Sequence, residues 1–243
     1  MTTRIFIFIL ISFASQILFA NSCEFKKWSS YKKVDLLSHP SKKAYIFKTS
    51  HKAIDADGAP NAYHPNKSAL DYLENAGYPN TSWWKSVLVA DPNNSTKAYI
   101  QKDGKYKGYF VSKTSLQNND KKVIDPSRYI DATKIPYLVF PKSFYNKKGT
   151  GLLGDHGYAI NLSNGKESTF IVADIGPTNA KLGEISIALA EALGGENPNP
   201  KNGRGVPTGE ILYILFPYSV RKNNNIGNLL ESIGGIEALN KCK

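Results

Sequence analysis

The stretch Thr169–Leu193, TFIVADIGPTNAKLGEISIALAEAL, sets Asp174 and Glu184 at the ends of two adjoining elements. The apolar run before Asp174 reads as a strand that stops at a Gly-Pro turn. The apolar spacing after Gly183 reads as an amphipathic helix with Glu184 in its first turn. Rigid elements fix the direction of side chains at their ends, which is why clefts are lined from such positions. Two carboxylates presented this way are the minimum for hydrolysing a glycosidic bond: one protonated at the leaving oxygen, one ionised beside a water. Both residues also have a purely structural use, Asp174 as a turn starter and Glu184 as a first-turn acid that favours the helix dipole.

Other side chains suit a cationic or glycan ligand. Asp55 and Asp57, in Asp55-Ala56-Asp57-Gly58, can take a substrate's ammonium groups or organise a turn, and Asp131 and Asp155 offer the same choice. Tyr109 and the pair Trp83-Trp84 can stack on sugar rings, although paired aromatics usually serve a core. Ser112, Thr114 and Ser186 lack a neighbouring His or a nucleophile-elbow context, so a serine hydrolase is not expected. His39, His51, His64 and His156 are scattered and the chain has 2 cysteines, so no metal-ligand spacing appears and no metal or cofactor is expected.

The chain of 243 residues opens with an export signal over residues 1–20: Arg4, then an almost unbroken apolar run Ile5–Phe19, then Ala20 at a cleavage point. Residues 21–243 are expected to form a single catalytic domain, a monomer, secreted or periplasmic and without stable membrane insertion. The formal charge of +11 is spread over doublets such as Lys26-Lys27 and Lys147-Lys148. A nucleic-acid face needs clustering with interleaved aromatics, so the excess points to an anionic envelope or glycan instead. Cys23 and Cys242 stand at either end of the mature chain. An oxidising compartment favours a bridge between them. The rival reading, Cys23 as a lipid acceptor, meets a poor preceding box, Ala20-Asn21-Ser22.

The elements that must position these groups are mostly strands. Ala44–Thr49 alternates, and further β signals fall at Ser86–Ala90, Ala98–Gln101, Gly108–Lys113, Ile135–Phe140, Tyr158–Leu162, Phe170–Asp174 and Ile211–Phe216. Pro136 and Pro141 confine the Ile135–Phe140 strand to an edge or a bulge. Ser68–Ala76 reads as a helix capped by Ser68 and ended by Gly77, and Ile226–Asn240 as one amphipathic tail helix. Strands this frequent with few helices predict a mainly β fold with a mixed, six-stranded barrel-like core of the double-psi kind.

Seven pieces occur in an order that is specific as a set: Asp55-Ala56-Asp57-Gly58, Leu70-Asp71-Tyr72-Leu73, Gly108-Tyr109-Phe110-Val111-Ser112, Tyr129-Ile130-Asp131-Ala132, Ile135-Pro136-Tyr137-Leu138-Val139-Phe140-Pro141, Asp174-Ile175-Gly176-Pro177 and Gly183-Glu184-Ile185-Ser186. Together, over residues 44–219, they resemble the chitosanases of glycoside hydrolase family 75. The resemblance implies a barrel-centred, endo-acting hydrolase of β-1,4-linked glucosamine polymers working with inversion, with Asp174 and Glu184 as its essential pair. It points to Glu184 as proton donor and Asp174 as base, whereas a helix start at Glu184 would favour its ionised form. The chain departs from the family at Ile185, where a Gly is common, and in a short Asp174–Glu184 loop. Two other readings stay open: a non-catalytic glycan- or wall-binding protein, and a peptidoglycan-cleaving enzyme on the same architecture.

Overall fold

The computed structural model describes residues 23–222 and 225–242, so the export signal expected over residues 1–20 lies outside the described residues. A hairpin, β1 (Lys26–Tyr31) and β2 (Val34–Ser38), leads into β3 (Tyr45–Thr49) and the short β4 (Ala53–Asp55). A long excursion follows, holding α1 (Trp84–Val87) and the small hairpin β5 (Ala90–Asp91) and β6 (Asn94–Ala98). Then come β7 (Tyr137–Pro141), α2 (Lys142–Tyr145), β8 (His156–Asn161), β9 (Glu167–Gly176), β10 (Glu184–Ser186), α3 (Ile187–Ala192) and β11 (Ile211–Leu215). Two short helices, α4 (Ile226–Glu231) and α5 (Gly235–Asn240), end the chain.

The mainly β character holds, but the core is not a six-stranded barrel. Nine strands form one sheet in the order β1-β2-β3-β11-β8-β9-β7-β10-β4, with β1 and β4 as its two edges. Closure fails because the excursion between β4 and β7 adds no strand to this sheet. Ser86–Ala90 begins as α1, and Gly108–Lys113 contributes isolated bridges at Phe110 and Ser112. The sheet is mixed, with parallel pairs β4–β10 and β7–β9.

The strands β7 and β11 are apolar and buried along their whole length because both faces are covered. On β11, Ile211, Tyr213 and Leu215 join the larger core, while Leu212 and Ile214 face a second core shared with Phe25, Leu229, Leu230 and Leu239. The tail helices thus roof one face and the long excursion roofs the other. A bridge between Cys23 and Cys242, Cα atoms 4.8 Å apart, ties the first strand's approach to the end of α5. It leaves Cys23 no thiol for a lipid.

Two helix expectations are corrected. Ser68–Ala76 yields only a single 3-10 turn, Leu73–Ala76, closed by Gly77 at φ 71°. The Asp71 carboxylate takes the Tyr72 N–H at 2.7 Å and the Asn75 side-chain amide at 2.8 Å, and such local bonds compete with helix. The tail breaks into α4 and α5 at Gly234 and Gly235, whose φ values of 85° and 73° leave the helical region. The strand flanked by Pro136 and Pro141 is interior, not an edge, and the bulge lies in its ladder with β9 between Leu138 and Val139: β7 lies between β9 and β10, with Pro136 just outside it and Pro141 its last residue.

Candidate active site

Four strands, β9, β7, β10 and β4, place the candidate carboxylates on one face. Cross-strand partners share a face, and the registers Val139↔Asp174, Pro141↔Gly176, Glu184↔Ala53 and Ser186↔Asp55 align them. One irregularity aims Asp174. Between Leu138↔Val172 and Val139↔Asp174, β9 advances by an extra residue, Ala173. Such a bulge re-aims the following side chain and frees backbone from the ladder. The freed Ala173 carbonyl accepts from the Leu116 N–H at 2.8 Å, which docks the Ser115–Leu116 segment beside Asp174.

Ser115 then holds the carboxylate. Asp174 Oδ1 accepts from the Ser115 N–H at 2.8 Å, the Ser115 hydroxyl at 2.6 Å and its neighbour's Ile175 N–H at 2.8 Å. These donors favour the ionised form, yet burial outweighs them and raises the Asp174 pKa above the ordinary carboxylate range.

Glu184 is the first residue of β10, not of a helix. The helix begins at Ile187, capped by the Ser186 hydroxyl, which accepts from the Leu189 N–H at 3.1 Å. The helix-dipole argument for an ionised Glu184 therefore falls. Instead, burial, then the charges of Asp174 and Asp71, push its pKa up to about 7. Its carboxylate sits over Gly176: a Cβ added there would come 3.1 Å from Glu184 Oε2. Gly176 and Asp174 are two residues apart on one strand face, a step of about 6.6 Å at ~3.3 Å per residue.

Asp55 and Asp57 join the same cluster, their carboxylate oxygens lying with one of Asp174 within 4.8 Å of one another. Asp55 is engaged on both oxygens, accepting the Tyr137 hydroxyl at 2.9 Å on Oδ2 and the Asp57 N–H at 2.8 Å on Oδ1. Asp57 Oδ1 accepts from the Tyr63 hydroxyl at 2.9 Å and the Ser112 hydroxyl at 3.0 Å. Burial and mutual repulsion raise both aspartates well above their usual range. Burial, then these carboxylates, likewise keeps the Tyr63 and Tyr137 phenols protonated as donors. Protein donors already address each of the three aspartates, and burial raises the pKa of all three above the ordinary carboxylate range.

The remaining candidates stand elsewhere. Tyr109 packs edge-on against His64, ring centroids 4.6 Å apart, and against Tyr106. Asp131 accepts from Thr133 and pairs with Lys134 Nζ at 3.1 Å, beside a cavity of about 560 Å³ that it lines with Gly58, Gln101, Tyr106 and Asp125. Asp155 is 1% exposed and accepts the N–H groups of Leu152, Tyr218 and Val220, so it organises a turn. Trp84 is core and Trp83 exposed. Ser112 serves Asp57, and Ser186 caps α3.

Sequence reasoning overlooked Ser115, Tyr63, Tyr137 and the charge of Asp71. Ser115 bonds a residue 59 positions away, a distance at which spacing carries no signal. No protein-family model and no curated protein matches the chain.

Proposed function

We propose that the protein is an exported, endo-acting glycoside hydrolase that cleaves β-1,4 glucosamine linkages of chitosan with inversion. One observation carries the reading: a carboxylate with a pKa near 7, Glu184, lies over the glycine two residues along the strand from a donor-bound carboxylate, Asp174. Pairs whose environments push them into different protonation states are how one site runs acid and base chemistry together. Glu184 donates the proton to the leaving oxygen, and Asp174, its ionised form held by Ser115 and Ile175, takes one from water. The ordered motifs shared with family 75 chitosanases support the substrate class, and the bridge and the apolar start of the chain support export. No helix among the described residues is long and apolar enough to cross a membrane.

Asp57, one oxygen of which has no donor among the described residues, is the residue of the two upstream aspartates suited to a substrate ammonium. Asp55, bonded on both oxygens, positions the loop and Tyr137 instead.

Reducing-end release from chitosan, chitin and peptidoglycan, measured side by side, tests the reading. Wild type is expected to act on chitosan, and Asp174→Asn and Glu184→Gln each to lose about 10²–10⁴-fold in rate. A loss under about tenfold removes that residue from the pair. Cleavage of peptidoglycan with chitosan untouched transfers the same chemistry to another polymer.

A further inference from the structure

The β1–β2 hairpin lies outside the stretch that resembles the chitosanases, yet its tip closes on the loop that joins the two candidate catalytic residues. Residues 177–183 connect β9 to β10 and so Asp174 to Glu184. The far end of this loop is fixed by the sheet side: Leu182 is buried, and Gly183, at φ 113°, approaches the His51 carbonyl so closely that a Cβ would overlap it. Its outer part, Pro177–Asn179, is exposed. Within the loop the Ala180 N–H bonds the Pro177 carbonyl at 3.1 Å.

The outer holds come from the hairpin and the start of α2. Tyr31 Oη lies 2.8 Å from Ser143 Oγ and 3.1 Å from the Ala180 carbonyl. Ser143 donates to the Thr178 carbonyl, and Lys32 Nζ donates to the Asn179 carbonyl. Each hydroxyl has a single proton. The contacts therefore resolve into a chain from Tyr31 Oη to Ser143 Oγ and on to Thr178, with the Ala180 carbonyl sharing the phenol's proton. Successive loop carbonyls at 178, 179 and 180 are all gripped. The Tyr31 ring is itself set edge-on against Phe144, centroids 5.2 Å apart. The turn that delivers Tyr31 and Lys32 holds Lys32 and Lys33 at φ 45° and 68°, a conformation non-glycine residues avoid.

β10 is 3 residues long and Glu184 is its first, so the ladder alone fixes its backbone weakly. We propose that Tyr31 is a positioning residue of the hydrolytic site, fixing through Ser143 the loop that sets Glu184 against Asp174. This rests on the glycosidase reading above. A displacement of about 1 Å between reacting groups costs up to ~10²-fold in rate, so a slack loop registers in kcat.

The test uses Tyr31→Phe, Ser143→Ala and Ser143→Thr in the full exported protein. It reads amide exchange over residues 177–183, the thermal midpoint, and kcat and KM on chitosan. Tyr31→Phe and Ser143→Ala are expected to melt close to wild type and to exchange the loop amides about tenfold faster. Their kcat should fall about 10–100-fold with little change in KM, and Ser143→Thr, which keeps the hydroxyl, should retain most of it. An active wild type with Tyr31→Phe at full kcat, or with unchanged loop exchange, overturns the positioning role and leaves the glycosidase reading intact. A wild type inert on every polymer overturns the glycosidase reading, and the positioning role with it.

Discussion

At Gly176 a side chain is absent where the strand's alternation calls for one, and the Glu184 carboxylate occupies that space beside Val139 and Asp174. Enclosed this way, Glu184 loses water faster than it gains donors, which is why its pKa rises to about 7. The charged and titratable groups that face it are Asp174, Asp71, Asp55 and Asp57, with Lys113 beside Asp174 and Asp57. The consequence for stability follows from proton counting. Between the unfolded value of 4.5 and about 7 the folded chain holds a proton that the unfolded chain has released. The stabilisation is complete below the lower value and is lost as pH rises through the upper one. Glu184→Gln removes this dependence, so the variant should gain on wild type by up to about 3 kcal/mol between pH 4 and 8. Urea midpoints at the two pH values measure it, and a constant difference would mean that Glu184 titrates normally. On the proposed mechanism the same group should set the alkaline limb of kcat/KM near pH 7, and the raised Asp174 should move the acid limb above the ordinary carboxylate range, which a pH–rate profile checks.

At the scale of elements, the bulge at Ala173 and the glycine at 176 act on one strand and can be tested apart from the carboxylates. A Cβ at 176 would press on Glu184 Oε2 and Val139 Cγ1, each 3.1 Å away, without backbone strain. Gly176→Ala should therefore fold with a midpoint near wild type while losing about tenfold in kcat, because Glu184 must move by tenths of an ångström. Equal kcat in Gly176→Ala would show that the glutamate's place is not critical. What could be read beforehand follows the strength of the local signal. Ala44–Thr49, Tyr158–Leu162 and Ile211–Phe216 fall close to β3, β8 and β11, while Phe170–Asp174 marks only the middle of β9, whose polar start Glu167–Thr169 breaks the apolar run. β10 was hidden because three residues, Glu184–Ser186, are too few for a period and lead directly into a helix. β1 and β2 were hidden because their turn is Lys32-Lys33, lacking the glycine or asparagine that marks a hairpin. Asp174 was legible only as lying near a strand's end, two residues before β9 stops, and Glu184 as the start of an element that is β10 rather than a helix. Ser115 reaches Asp174 from 59 positions away and Tyr137 reaches Asp55 from 82, where spacing along the chain says nothing.

At the scale of the molecule, the sheet is capped on one face by the excursion that builds the site and on the other by α4 and α5, which the Cys23–Cys242 bridge ties to the approach to β1. The bridge spans a separation of 219 residues. In the chain-entropy treatment a loop of this size contributes about 5 kcal/mol, an upper figure because residual structure in the unfolded chain reduces it. Replacing both cysteines by serine should lower the urea midpoint substantially. It should also speed amide exchange in α4 and α5 before β8 and β11, whose bonds lie in the sheet's interior. Equal exchange in the tail helices of both proteins would mean that packing alone holds them.

The same bridge leaves the polypeptide between residues 23 and 242 without a free end. A protease that cuts once, for example in the exposed segment Asn202–Arg204, converts a ring into a line and releases nothing. The two flanking stretches stay joined, each at the local concentration set by its tether, so the parted strands can re-pair without searching the solution. Among proteases, such a chain tolerates its first wound as one molecule, and only a second cut or a reductant makes the damage permanent.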